Sequence, residues 1–134
     1  LGFLSEREKI NISIQVDPEL ILHPDEPRFA IVLNNLIANA IKYYDRQKSD
    51  PYIKISAAIN QQQFRLAIED NGAGISPEHQ ARIFEMFYRA TTRGEGSGLG
   101  LYIVRETVQK LGGTITLNST AGKGSIFTIQ IPEA

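Results

Sequence analysis

An apolar helical segment between residues 28 and 42 carries three polar side chains whose types and spacing suit a charged ligand. At about 100° per residue, Asn35, Asn39 and Lys42 fall within an arc of roughly 60° on such a helix. The neighbouring arc is apolar and contains Phe29, Val32, Leu33, Leu36, Ile37 and Ala40. Asparagine is a modest helix former because its amide competes for backbone hydrogen bonds, so its recurrence here needs a reason. The stripe is either a solvated polar edge or a ligand-binding face.

A carboxylate continues the alternation of an apolar strand. Phe64, Leu66 and Ile68 alternate with other residues, and Asp70 follows in the same register, which directs its side chain to the core side of the strand. A buried carboxylate is costly unless it is paired or hydrogen-bonded, so this position predicts a polar partner. The segment from Asp70 to Gly74 is also ordinary turn chemistry, in which glycine supplies a positive φ or a close backbone approach. Both interpretations remain open from these residues alone.

Alternating glycines at Gly94, Gly96, Gly98 and Gly100 directly precede a predicted helix. Uncovered backbone N–H groups in front of the positive end of a helix favour phosphate binding. The dinucleotide-binding fingerprint does not fit, because the run follows a helix and a polar loop and has the wrong spacing. A P-loop does not fit either, since the nearest Gly-Lys sequence, at residues 122–125, leads into a strand.

Length and composition limit the function classes. The chain has 134 residues, 42% hydrophobic content and a formal net charge of −1, which fits one globular domain over residues 1–134. This charge gives no bulk attraction for nucleic acid or an anionic membrane. The absence of cysteine excludes disulfides and thiolate metal sites, and His23 and His79 stand too far apart to suggest a metal pair. No apolar run approaches the ~18 to 20 residues of a membrane span, so no direct membrane insertion is expected.

The order of elements predicts an α/β fold. Alternating apolar residues predict strands at 10–16, 53–59, 64–68, 114–118 and 125–131. Helices are expected from an Asp25 cap to about Tyr44, from a Ser76 cap to near Phe87, and from the glycine run to Gly112. Two strand pairs are joined by short turns, which favours a two-layer sandwich over an all-parallel sheet. We therefore expect a mixed, mostly antiparallel sheet of about five strands, covered on one face by three helices.

In this order the segments resemble the catalytic and ATP-binding domain of sensor histidine kinases, within the gyrase, chaperone, kinase and mismatch-repair ATPase superfamily. The five motifs that carry the resemblance are an N box, Asn35-Leu-Ile-Ala-Asn39-Ala-Ile-Lys42-Tyr43; a G1 box, Asp70-Asn-Gly-Ala-Gly74; an F box, Ile83-Phe-Glu-Met-Phe87-Tyr-Arg89-Ala90; a G2 box, Gly96-Ser-Gly-Leu-Gly-Leu101; and a closing Gly122-Lys-Gly-Ser-Ile-Phe127. The match covers nearly the whole chain from Ile10 onward. It implies the Bergerat ATP-binding fold.

The resemblance implies ATP and Mg²⁺ as cofactors. Asp70 would accept the adenine amino hydrogen bond, Asn39 would coordinate Mg²⁺ and Asn35 would support it. Lys42 would contact phosphate oxygens, and Arg89 would reach the γ-phosphate from a short lid at residues 90–96. The further nucleotide-binding positions are Tyr43, Gly72, Gly74, Ile75, Gly96, Ser97, Gly98, Leu99, Gly100, Leu101 and Thr128. The catalytic set is Asn35, Lys42 and Arg89.

One position separates the branches of the superfamily. In the hydrolysing chaperone and mismatch-repair branches, and in the anti-sigma serine kinases, a glutamate stands at the place of Asn35 and activates water or a hydroxyl. An amide cannot take a proton at neutral pH, so Asn35 argues against hydrolysis and against serine phosphorylation by this route. A superfamily ATPase is therefore the disfavoured alternative.

The family transfers the γ-phosphoryl group to a histidine on a separate dimerisation domain, which in turn serves a response regulator receiver domain. Neither His23 nor His79 lies in a helix of that type. The resemblance thus implies a cytoplasmic histidine kinase fragment that binds Mg-ATP without phosphorylating itself, while the stimulus and the membrane relation of the parent stay open. A nucleotide-binding regulatory module without phosphotransfer is the other reading.

Overall fold

The computed structural model describes residues 10–16, 26–43, 45, 47–60, 62–88 and 99–132. In chain order the elements are β1 (Asn11–Val16), α1 (Glu26–Lys42), β2 (Tyr52–Asn60), β3 (Gln63–Asp70), α2 (Pro77–Gln80), α3 (Gly100–Lys110), β4 (Thr114–Thr120) and β5 (Gly124–Pro132). All five predicted strands are therefore confirmed. The predicted positions that lie outside the described residues are His23, Asp25, Tyr44, Arg89, Gly96, Ser97, Gly98 and the lid at 90–96.

The five strands form one mixed sheet in the order β1-β2-β3-β5-β4. Strand β1 runs parallel to β2, with Ile12 opposite Ile53. The other three pairings are antiparallel, and they place Asp70 between Ile53 on β2 and Ser125 on β5. The parallel pair needs a crossover, which α1 supplies, whereas the antiparallel pairs β2–β3 and β4–β5 are joined by short turns. The predicted α/β class with a mostly antiparallel mixed sheet is confirmed.

Alternation along β3 separates the core face of the sheet from its other face. Phe64, Leu66, Ile68 and Asp70 are buried, while the residues between them are exposed or half-buried. Strand side chains alternate between the two faces, so Asp70 lies on the face that packs against the helices. The ring of Phe29 from α1 meets Phe64 edge to face, with ring centroids 4.7 Å apart. A carboxylate thus ends a row of core side chains.

The helices α1 and α3 cover this face and pack against each other. Their buried residues are Val32, Leu36 and Ala40 on α1 and Leu101, Val104 and Val108 on α3. Helix α3 ends in a Schellman motif, because the Gly112 and Gly113 N–H groups donate to the carbonyls of Gln109 and Val108 at 3.0 and 2.9 Å. The predicted glycine stop is confirmed. No helix among the described residues is long and apolar enough to cross a membrane.

The second helix is much shorter than predicted. It comprises Pro77–Gln80 and is followed by turns as far as Phe87. The turns are closed by bonds from residue i to i−3, as from Arg82 N–H to the carbonyl of His79 at 2.9 Å, and Phe87 has a φ of 66° that ends any helical path. Ser76 occupies the N-cap position without a side-chain capping bond, since its hydroxyl contacts Glu78 Oε1 at 3.3 Å.

Candidate functional site

The end of α1 is bonded to the loop that carries Asp70. The carbonyl of Tyr43 accepts a hydrogen bond from Ala73 N–H at 2.9 Å. Lys42 and Tyr43 are both half-buried, and the Lys42 ammonium lies 5.7 Å from the centre of the Tyr43 ring. This bond fixes the last turn of the amide-bearing helix beside the predicted base-binding loop. Two motifs separated by about thirty residues are thereby joined at one end of the sheet.

The side chain of Asn35 has a defined orientation. Its Nδ2 donates to the carbonyl of Ile31, one turn earlier on α1, at 2.7 Å. This bond uses one of the two Nδ2 hydrogens and directs Oδ1 away from the carbonyl of Ile31. A Cβ placed on Gly100 would lie 3.2 Å from that oxygen, so Oδ1 faces the first residue of α3. Asn39 is half-buried one turn further along, whereas Asn34 is exposed, which agrees with the predicted stripe.

Asp70 is the buried acid of the site, with only 6% of its surface exposed. Its Oδ1 accepts a hydrogen bond from Gly72 N–H at 2.9 Å. Burial raises the pKa of Asp70 to about 6; the bonds from Gly72 and Ser125 N–H and the charge of Lys48 oppose this rise, and the charge of Glu69 adds to it. Desolvation therefore outweighs the local donors. An acceptor held at such a cost is a typical feature of a binding site.

The β4–β5 turn packs against the Asp70 loop. Gly122 N–H donates to the carbonyl of Ala73 at 2.7 Å. Gly74 has a φ of 71°, and a Cβ there would lie 2.1 Å from the carbonyl oxygen of Thr120. A side chain at Gly124 would likewise meet the carbonyl of Asp70 at 2.1 Å. The closing Gly-x-Gly motif thus lets two backbone segments approach each other behind the carboxylate.

Four residues to which the sequence analysis assigned no role also shape the site. Lys48 lies in the polar loop after α1, and its ammonium bonds to the carbonyls of Gly72 and Lys123 at 3.4 and 3.3 Å. Ser119, Ser125 and Gln80 form a network under the Asp70 loop. The alternation of β5, which puts Ser125 in phase with the buried Phe127, could have identified that serine. Nothing in the sequence around Lys48 or Ser119 indicated a role.

The remaining predicted positions divide into three groups. Ile75 and Leu101 are core residues at the margin of the site, with 3% and 9% of their surfaces exposed, and Leu99 and Gly100 are half-buried at the start of α3. Thr128 is not brought to the site, because it alternates with the buried Phe127 and so lies on the opposite face of the sheet from Asp70. The third group, Arg89, Gly96, Ser97 and Gly98, lies outside the described residues.

Within the described part of the chain, no three histidine, cysteine, aspartate or glutamate side chains are grouped so that they could hold a metal ion. The oxygen of a half-buried amide such as that of Asn39 can ligate a divalent cation that brings further ligands with it. Magnesium commonly binds in this way, through few protein ligands and the phosphates of a substrate.

Comparison with known proteins places the chain in a family. It matches the family of histidine kinase-, DNA gyrase B- and HSP90-like ATPases over residues 24–134. A probable C4-dicarboxylate sensor kinase of Bacillus subtilis is 37% identical over 123 residues, which are 91% of this chain and 22% of that protein. The sensor protein SrrB of Staphylococcus aureus is 37% identical over 128 residues, or 92% of this chain and 21% of that protein. The structure of full-length ShkA in complex with AMPPNP matches with a TM-score of 0.82 and 29% identity, over 99% of this chain and 30% of that one.

The chain belongs to the histidine kinase-, DNA gyrase B- and HSP90-like ATPase family. Within this family, its relatives identify it as an ATP-binding catalytic domain of the sensor histidine kinase type. The predicted resemblance is confirmed. The chain spans about a fifth of the length of the curated relatives that it matches.

Proposed function

We propose that this chain, as one domain, binds Mg-ATP and transfers the γ-phosphoryl group to a histidine on a dimerisation domain of the same parent protein. The observation that carries the proposal is the bond between Tyr43 and Ala73, at 2.9 Å, which joins the amide stripe of α1 to the loop of the buried Asp70. A base acceptor and a phosphate-side surface are thus parts of one rigid arrangement. Phosphoryl transfer depends mainly on such positioning and on charge neutralisation.

The described residues have complementary roles in this proposal. Asp70, ionised at neutral pH, accepts a hydrogen bond from the adenine amino group. Asn39 offers a neutral amide oxygen to Mg²⁺, which would supply charge neutralisation between the phosphates without adding a repulsive carboxylate. Lys42 contributes a positive charge at the end of α1. Arg89 and the amides of Gly96, Ser97 and Gly98 are proposed to complete the phosphate contacts.

Asn35 favours transfer over hydrolysis. Its Nδ2 is bonded to the carbonyl of Ile31, so it presents a carbonyl oxygen that accepts hydrogen bonds but has no useful basicity. A water molecule held there would be oriented but not deprotonated. The neutral imidazole of a phosphoacceptor histidine already carries a lone pair and needs little help from a base. The site therefore suits a nitrogen nucleophile better than water.

Binding is tested by calorimetry of Mg-ATP with the 134-residue chain and two matched variants. Asn39→Ala is expected to weaken Mg-ATP binding at least about tenfold, because the cation loses a protein ligand. Asn34→Ala removes an exposed asparagine from the same helix and is expected to leave binding unchanged. The proposal assigns the wrong face of α1 if both variants bind like the parent.

Transfer is tested by mixing the chain, γ-labelled ATP and a purified histidine-bearing dimerisation domain from a sensor kinase. Acid-labile label on that domain supports the proposal, and its passage to a receiver domain would identify a response regulator as the next partner. Tight ATP binding without any label transfer to the natural dimerisation domain of the parent would instead indicate a regulatory nucleotide-binding module. We propose a cytoplasmic location, where ATP is available.

A further inference from the structure

Two hydroxyl groups, that of the buried Ser125 and that of the half-buried Ser119, lie close together beside Asp70. Ser125 is 6% exposed, stands opposite Asp70 in the β3–β5 register and shares its face of the sheet. Its backbone N–H lies close enough to the Asp70 carboxylate to lower the pKa of that acid. The hydroxyl of Ser119, on the neighbouring strand β4, lies 2.8 Å from the hydroxyl of Ser125. Which of the two hydroxyls donates in this hydrogen bond decides whether Ser125 can act as a donor or only as an acceptor toward a ligand.

The other partners of Ser119 determine that direction. Its Oγ accepts a hydrogen bond from Ile75 N–H at 2.8 Å and donates its only hydrogen to the carbonyl of Gly124 at 2.9 Å. A hydroxyl has one hydrogen and two lone pairs, so the remaining lone pair of Ser119 must accept from Ser125. The hydrogen of Ser125 is therefore used, and its oxygen presents lone pairs only. Ser125 is an acceptor beside a second acceptor, the ionised Asp70.

Two acceptors side by side complement a ligand group with two hydrogens. The exocyclic amino group of adenine is such a group, reached directly or through one water. A purine with an oxo group at the same position would present an acceptor to both, and a buried pair of acceptors discriminates strongly against it. We propose that Ser119 is a positioning residue for base specificity: it holds Ser125 as a hydrogen-bond acceptor and thereby excludes 6-oxopurine nucleotides. This inference rests on the proposed binding of adenine at Asp70.

Gln80 provides a matched control in the same network. Its Nε2 donates to the carbonyl of Ile75 at 2.7 Å and to the carbonyl of Ser119 at 3.1 Å. It therefore braces the same loop and the same strand as Ser119 but does not contact either hydroxyl in the described bonds. Loss of the Gln80 side chain should loosen the loop, but Ser125 should still donate its hydroxyl hydrogen to Ser119. A purely structural role of Ser119 would give the same result as loss of Gln80.

The experiment compares ATP with inosine triphosphate, its 6-oxo counterpart, by calorimetry at pH 7.5, where Asp70 is ionised. In Ser119→Ala the hydroxyl of Ser125 is free to rotate and donate, so the ratio of ATP to inosine triphosphate affinity should fall at least about fivefold. Gln80→Ala should weaken both nucleotides alike and keep the ratio. Ser119→Thr retains the hydroxyl and should keep the affinity ratio of the parent chain.

The outcomes separate this inference from the proposed function. A parent chain that binds neither nucleotide refutes ATP binding itself, whereas normal ATP binding with an unchanged ratio in Ser119→Ala overturns the role of Ser119. If Ser119→Ala does not fold, Ser125→Ala tests the same acceptor. Ser125→Ala removes an attraction for ATP and a repulsion for inosine triphosphate, so the ratio of ATP to inosine triphosphate affinity must also fall. An unchanged ratio in this variant would overturn the inference.

Discussion

Replacing Asp70 by asparagine should stabilise the free protein while it weakens ATP binding. Burial raises the pKa of this acid from 3.8 to about 6, so the folded state holds the charged form at a cost. That rise corresponds to about 3 kcal/mol of destabilisation at neutral pH. Asparagine has nearly the same shape without the charge, but it accepts weaker hydrogen bonds from Gly72 and Ser125 N–H, a loss of about 1 kcal/mol. The net gain in unfolding free energy is about 2 kcal/mol.

The pH dependence of this gain has a definite sign. Because the folded state binds the proton of Asp70 more tightly than the unfolded chain, the contribution of this group to stability is highest below pH 3.8. The contribution falls as the pH rises from 3.8 to about 6, and it is constant above that range. The advantage of Asp70→Asn should therefore be full at pH 7.5 and largely absent near pH 4.

Urea unfolding at both pH values measures this difference. Asp50→Asn, at an exposed aspartate, is the matched control and should change stability little at either pH. In parallel, calorimetry at pH 7.5 should show ATP binding to Asp70→Asn weakened by about 1 to 3 kcal/mol, since an amide replaces a charged acceptor and can turn a donor toward the adenine amino group. A variant no more stable than the parent at pH 7.5 would refute the desolvation argument. Unchanged ATP affinity would remove Asp70 from the site.

Three further predictions concern the glycines, Asn35 and the isolated chain. Gly74→Ala should lower the unfolding free energy by about 2 to 4 kcal/mol in urea titrations, because its Cβ would meet the Thr120 carbonyl at a positive φ. Gly122→Ala, at a similarly positive φ but in open space, should cost only about 1 kcal/mol. Equal losses in the two variants would contradict the close packing at Gly74. Asn35→Glu should raise the rate of ADP release from Mg-ATP at least about tenfold, because the glutamate supplies a base. An unchanged rate in a variant that still binds ATP would show that this position does not decide whether water or histidine accepts the phosphoryl group. The 134-residue chain incubated alone with γ-labelled ATP should bind nucleotide and acquire no stable label, and stoichiometric phosphohistidine at His23 or His79 would overturn the assignment of the acceptor to another domain.

The sequence was most informative where one period governed a whole element. Alternation in β3 predicted both its core residues and the inward direction of Asp70, and the 3.6-residue period of α1 separated Asn35 and Asn39 from the exposed Asn34. These features depend on local geometry alone, so a single sequence reveals them. The order of the motifs added the family, which the comparisons confirmed.

Other features of the fold and of the site were predicted less accurately or were missed. The helix after Ser76 was expected to reach Phe87, but i to i−3 turns replace it beyond Gln80, and no periodicity distinguishes the two in so short a segment. Thr128 was assigned to the nucleotide, yet it alternates with the buried Phe127 and so lies on the opposite face of the sheet from Asp70. The alternation of β5 in the sequence already indicates this face. Ser119 is invisible to pattern analysis because its role comes from three bonds to other segments.

The network around Asp70 explains how the fold tolerates a buried carboxylate. The Asp70 loop is held by bonds to the end of α1, to the β4–β5 turn and to Lys48, none of which neutralises the acid completely. If these braces were loosened, water could reach the carboxylate, its pKa would return toward the ordinary value and the loop would no longer be held ready for the base. Burial of the acid in an ordered loop and a raised pKa of Asp70 therefore go together. Gly74→Ala should therefore lower the pKa of Asp70 in addition to lowering stability. NMR of the Asp70 carboxyl carbon across a pH titration measures this pKa. A folded Gly74→Ala variant with an unchanged Asp70 pKa would show that burial of the acid does not depend on this packing.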